Sequence, residues 1–433
     1  WYINQVQEGQ HRDGYFRNRP MGFLYMPDCS KAPAVPDVAT SCLFADFGWA
    51  VMHDSWKKDA AMLAVKSGQT WNHSHADANS FILFYKGVDI LKDAGNCWYP
   101  NPAYRNYFFQ SQAHNVVLFN GEGQSCEQQY QGSYLRGSLH YLMDNGKMKY
   151  VLANGTGPDK FSRNFRHFLW MDKVIYMIDD IAAHKPGHFE WLWHYNGKAV
   201  KRGADVTVTS DSASVVIRPL YPRLLALSDF VHDYPDDLYW EVKKGPTEDL
   251  KGEEEYYSFH LPGEHKRVKG LTAVILKDSP DDKDLPMMER TEGKDWIGLK
   301  VRRNGKVTDI YINQLADGRL MHNNSWITAD GWTTDAYMFA VTYDEGTDPA
   351  KASEMFVCYG SALRRGEVSY YSSLSKLFVM QRREGKKLDL RVEGQPHIRA
   401  AFRQPSCPAE LEVNGQRQKA VYENGNVILK SKL

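Results

Sequence analysis

Ser80-Phe81-Ile82-Leu83-Phe84-Tyr85-Lys86-Gly87-Val88-Asp89-Ile90-Leu91-Lys92-Asp93 reads as a complete hairpin. The run from Ser80 to Tyr85 is a buried strand, Lys86-Gly87 is its two-residue turn, and Val88 to Asp93 is the return strand. The same signature recurs outward along the chain. Asn115-Val116-Val117-Leu118-Phe119 leads into Asn120-Gly121, and Asn304-Gly305 separates the apolar runs Trp296 to Val301 and Val307 to Ile312. Further short runs lie at Val174 to Ile178, Val206 to Val208, Ser214 to Ile217 and Leu271 to Leu276. Sustained 3.6-residue periodicity is scarce. The pattern predicts a mainly β chain: a large antiparallel β-sandwich with a smaller C-terminal β domain. Residues 1–41 form an irregular lead-in broken by Pro20 and the Pro-rich Lys31 to Pro36. The sandwich is expected over 42–335 and the smaller domain, with turns at Asn414-Gly415 and Asn424-Gly425, over 336–433.

Bulk properties narrow the function classes. Lys plus Arg and Asp plus Glu are 53 each, so net charge gives no support for a nucleic-acid partner. No run approaches the roughly 20 apolar residues of a membrane-spanning helix. The 12 Trp and 25 Tyr suit a protein that stacks on sugar rings, although β-rich proteins use many aromatics in any case. The six cysteines show no CxxC pairing and read as neither a disulfide framework nor a zinc ribbon. Trp1-Tyr2-Ile3-Asn4-Gln5 is neither an initiator methionine nor a leader, so an upstream segment is expected to be missing.

The hairpin is flanked by a second kind of signal. Upstream stands Asn72-His73-Ser74-His75-Ala76-Asp77; downstream, Asp93 is followed by His114-Asn115. Residues i and i+2 of an extended segment share a face, so His73 and His75 point together. Two imidazoles and a carboxylate with an open position suit zinc and similar divalent ions. With His75, Asp93 and His114 on a metal, His73 is left as a free imidazole for proton transfer.

These residues resemble the heparinase II/III-like family of polysaccharide lyases. The likeness runs in order through Phe44 to Met52, Asn72 to Asp77, Ser80-Phe81 with Gly87, Lys92-Asp93-Ala94-Gly95, Tyr107, and Ala113-His114-Asn115-Val116-Val117. It is dense over about residues 42–125. The resemblance implies β-elimination on an anionic, uronate-bearing polysaccharide, either a glycosaminoglycan such as heparan sulfate, chondroitin or hyaluronan, or alginate. It implies His73 as the catalytic histidine and His75, Asp93 and His114 as ligands of one divalent metal, with zinc favoured and Mn or Ca left open. It also implies a periplasmic or secreted location and an N-terminal α/α toroid, of which residues 1–40 show no helical sign. A homodimer is left open.

Between Asp93 and His114, Tyr99 and Tyr104 are the candidate proton donors or sugar contacts, whereas Tyr107 reads as structural. Arg105 is a candidate partner for a carboxylate or sulfate, with Arg17 and Arg19 behind it, and Asn72 a candidate substrate contact. Trp191, Trp193, His194 and Tyr195 read as core rather than subsite. Two other readings compete: uronyl C5-epimerisation, which shares the proton abstraction, and a non-catalytic carbohydrate-binding sandwich. A metallo-β-lactamase-like HxHxDH motif fits less well, since Ala78 replaces its final histidine and that fold needs alternating strands and helices.

Overall fold

The computed structural model describes residues 35–68, 75–124, 137–155, 157, 159–222, 240–316, 325–394 and 399–430. The chain is mainly β, as expected, and its described strands fall into four sheets. A five-stranded meander comprises Ser41–Phe44, Trp49–His53, Ala61–Lys66, Ser80–Tyr85 and Val88–Leu91. An eight-stranded sheet runs between Lys198–Arg202 and Ser138–Asp144, with Val174–Gly187 and His265–Leu276 paired at its centre. Four strands, Trp240–Pro246, Glu253–His260, Phe189–His194 and Val117–Phe119, make a small third sheet. The remaining strands, Met287–Gly293 to Asn426–Lys430, form the largest sheet. Pairing is antiparallel except between Lys387–Glu393 and Glu410–Val413.

The eight-stranded sheet is the middle layer. On one face Phe168, Trp170, Ile175 and Met177 pack with Leu63, Phe81 and Leu83 of the meander and Trp191 and Trp193 of the small sheet. On its other face Tyr150, Leu169, Tyr176 and Ile178 meet Leu299, Ile310, Phe356 and Met380 of the largest sheet. Burial on both faces explains the unbroken apolar run Val174 to Ile178, which lacks the polar alternation of a half-exposed strand. The largest sheet crosses residue 335, because Lys306–Asn313 pairs with Met338–Asp344 from Lys306↔Asp344 to Ile312↔Met338.

The hairpin turns follow their chemistry. Lys86 and Gly87 sit at φ 51° and 83°, and Asn120-Gly121, Asn304-Gly305, Asn414-Gly415 and Asn424-Gly425 repeat the double positive φ. That backbone suits the right-handed twist of the flanking strands, and Asn-Gly tolerates it best.

Candidate metal centre

The segment from Asp93 to His114 is a closed loop on the hairpin's end. Ala94 N–H donates to Ala113 O at 3.2 Å, so the loop returns on itself and sets Asp93 opposite His114. A short π-helical turn, Tyr104–Phe108, occupies its middle. His75 is drawn in from the other side: Ala76 N–H donates to Phe109 O at 2.9 Å and Ser111 Oγ to Ala76 O at 2.5 Å.

Asn115 explains the Ala-His-Asn motif. Its amide donates to Phe81 O and Lys92 O, both at 2.9 Å, and its carbonyl oxygen accepts His194 N–H at 2.7 Å. One buried side chain therefore ties the Ser80–Tyr85 strand, the entry to Asp93 and the Phe189–His194 strand. Below it the buried Arg166 guanidinium donates to Asn79 O and Asn115 O and pairs with Asp179, which also accepts Trp191 Nε1–H at 2.8 Å.

His75, Asp93 and His114 each offer a ligand atom, and these atoms lie within 4.8 Å of one another. His114 is fully buried; its Nδ1 is 2.6 Å from Asp93 Oδ2, while its Nε2 is buried without a hydrogen-bond partner among the described residues. Asp93 keeps 37% of its side-chain surface open, which leaves the cluster reachable. Burial lowers His75 to about pH 4, with the nearby His114 adding to it, so the imidazole stays neutral and keeps a lone pair. Burial would raise Asp93, but the facing His114 and the Gly95 N–H outweigh it and hold the carboxylate well below its usual range. For His114 burial works downward and is overcome by Asp93, which pushes the ring up. A carboxylate that favours a proton on a buried imidazole also favours a divalent cation beside it. Two imidazoles, one carboxylate and an orphaned ring nitrogen fit such an ion.

The tyrosines separate in burial. Tyr104 is fully buried, its ring edge-on to His75 at 5.9 Å, and Tyr99 packs edge-on against it at 4.6 Å while keeping open surface. Tyr107 is buried against Gly245, where a Cβ would fall 2.1 Å from its hydroxyl, consistent with a packing role. Arg105 is exposed beside Tyr104. Asn72, His73, Arg17 and Arg19 lie outside the described residues. Trp191 and Trp193 are core, and His194 is buried, stacked on Tyr256 at 4.2 Å. Sequence reasoning placed Asn115 and Asp77 in its motif but gave neither a role, and it missed Arg166 and the Lys66–Asp77 ion pair at 2.5 Å.

Residues 37–282 match the family profile described as heparinase II/III-like, C-terminal. The chain belongs to the heparinase II/III-like family. A heparin-sulfate lyase of Bacteroides stercoris is 28% identical over 103 residues, which is 23% of this chain and 15% of that protein. Among solved structures, a heparinase III superposes with a TM-score of 0.53 at 16% identity, covering 69% of this chain and 46% of that one. The heparan sulfate lyase of Pedobacter heparinus gives 0.51 at 15% identity, again covering 69% and 46%. At these identities the likeness is one of fold. The chain spans less than half the length of each of these relatives.

Proposed function

We propose that the protein is a polysaccharide lyase that cleaves a uronate-bearing glycosaminoglycan by β-elimination. The observation that carries this reading is the convergence of His75, Asp93 and His114, on separate segments, in a chain of this family. The names of the relatives favour heparan sulfate as the substrate class.

The C5 proton of a uronate is too weakly acidic for an unaided side chain, so the site must supply a base near neutral pKa and donors for the developing charge. His73 takes the C5 proton; the C4–O4 bond breaks, a C4=C5 double bond forms, and the departing O4 receives a proton. Tyr99, which keeps open surface, is the donor, and Tyr104 supports it from beneath while holding His75. Arg105 binds a carboxylate or sulfate, and Asn72 contacts the sugar. His75, Asp93 and His114 would hold a divalent ion, zinc by its donor set. Bound there, such an ion would tie the three segments together and fix the imidazoles.

The test is His73→Ala, followed by absorbance of the unsaturated uronate product. Turnover should fall by roughly 100-fold or more, with metal content and melting temperature retained. Unchanged turnover would remove His73 as the base.

A further inference from the structure

We propose that the outer face of the five-stranded sheet, beside Asp93, is a sugar-binding subsite in which Trp49 stacks on a pyranose ring while Lys66, anchored by Asp77, binds its hydroxyls. The proposal deepens the polysaccharide reading above and rests on it. The meander's inner face, with Ala50, Met52, Leu63, Val65, Phe81 and Leu83, is fully used by the core. Its outer face is not. Trp49 stands there 53% exposed at the head of the second strand, paired with Phe44 at 49%. Phe44, Phe47 and Trp49 are exposed together at this end of the sheet, and a contiguous apolar patch marks a binding surface where single exposed residues do not.

Register sets its neighbours. Phe44 pairs with Trp49, Trp49 with Lys66, and Lys66 with Ser80, so these side chains form one row across four strands. In the adjoining row Val51, Ala64 and Ile82 provide a half-buried apolar floor. A groove lined by both rows continues to Asp77 and Asp93. Lys66 Nζ is 2.5 Å from Asp77 Oδ2, and Asp77 Oδ1 is buried without a hydrogen-bond partner among the described residues. An ammonium with spare protons, fixed by a buried carboxylate and set beside an indole, matches a sugar ring, which presents an apolar face and a rim of hydroxyls. A second protein would meet an ion pair in the middle of the patch, where protein interfaces are depleted of charge.

The groove is also built into the site's edge. Gly48, at φ +70°, lies so close to Gly68 that a Cβ would come within 2.1 Å of the Gly68 Cα; a Cβ on Gly68 would meet Phe47 O at 2.2 Å. Ser67 N–H donates to Gly48 O at 2.9 Å. The turn preceding Trp49 is thus locked against the strand end that leads towards His75. A sugar on Trp49 neighbours the one over Asp93, so the subsite would grip the chain next to the bond being cut.

The test measures binding of defined hexasaccharides of heparan sulfate, chondroitin sulfate, hyaluronan and alginate by calorimetry, in the His73→Ala background to prevent turnover. Trp49→Ala should weaken binding of the preferred sugar at least tenfold, with an unchanged melting temperature, and Trp49→Tyr should restore most of it. Lys66→Met should weaken it as well. The proposal is overturned if Trp49→Ala binds like its parent, if the parent binds none of the four, or if Trp49→Ala abolishes self-association in sedimentation while leaving sugar affinity intact. Sugar binding that depends on Trp49, without any absorbance increase from the unmutated protein, would refute the lyase reading and leave the subsite standing.

Discussion

At the scale of single residues, the site is held by side chains whose roles are buried hydrogen bonding. Asn115 satisfies Phe81 O, Lys92 O and His194 N–H at once. Removing it strands three buried backbone groups, each costing on the order of 1 kcal/mol or more. Asn115→Ala should therefore lower unfolding stability by about 3 kcal/mol, measured by chemical denaturation; a loss under half that would mean that water replaces the amide. The ligand candidates were legible one residue at a time, because His75, Asp93 and His114 are chemically distinctive and bracket a clear hairpin. Asn115, Arg166 and Asp77 were not, since an asparagine or an ion pair looks the same in sequence whether it is buried or on the surface.

At the scale of elements, the Val88–Leu91 strand, the loop to His114 and the segment at His75 are joined by few backbone bonds, among them Ala94 N–H to Ala113 O and Ala76 N–H to Phe109 O. A metal on the three side chains would cross-link all three segments. Stripping it with a strong chelator should lower the melting temperature by several degrees, equivalent to about 3 kcal/mol for an ion present at a hundred or more times its dissociation constant. Identical melting of metal-loaded and stripped protein would show that no ion clamps the loop. Turns were the most readable elements: Lys86-Gly87 and the Asn-Gly pairs declare their positive φ locally. The π-helical turn Tyr104–Phe108 carried no such mark, because it is imposed by the closing of the loop rather than by its own residues.

At the scale of the whole molecule, the strands were visible in the sequence but their assignment to layers was not. Val174–Gly187 pairs with His265–Leu276, its partners lying 78 to 101 residues away, and nothing local selects it. The contact between the middle and largest sheets encloses His167, stacked on Tyr337 at 4.6 Å and bonded to the Tyr150 hydroxyl at 2.8 Å. Burial, with Lys269 and Arg163 adding to it, lowers His167 to about 3, and burial lowers His194 to about 3 as well. In the unfolded chain both titrate near 6.5. Between pH 6.5 and 3 the unfolded state binds protons that the folded state refuses, so their contribution is complete above 6.5 and is lost as pH falls. Each adds a slope of at most about 1.4 kcal/mol per pH unit. Melting temperature should drop steadily from pH 7 to pH 4, and less steeply in His167→Gln; a flat profile would mean that the interior admits the charge.

The central claim, that this family member eliminates across a uronate, is tested most directly by far-ultraviolet absorbance. The metal-loaded protein would be incubated with heparan sulfate, chondroitin sulfate, hyaluronan and alginate in turn. A rising signal from the unsaturated uronate on one of them, heparan sulfate first, is the predicted result. A flat trace on all four, from protein shown to be folded and metal-loaded, would contradict it.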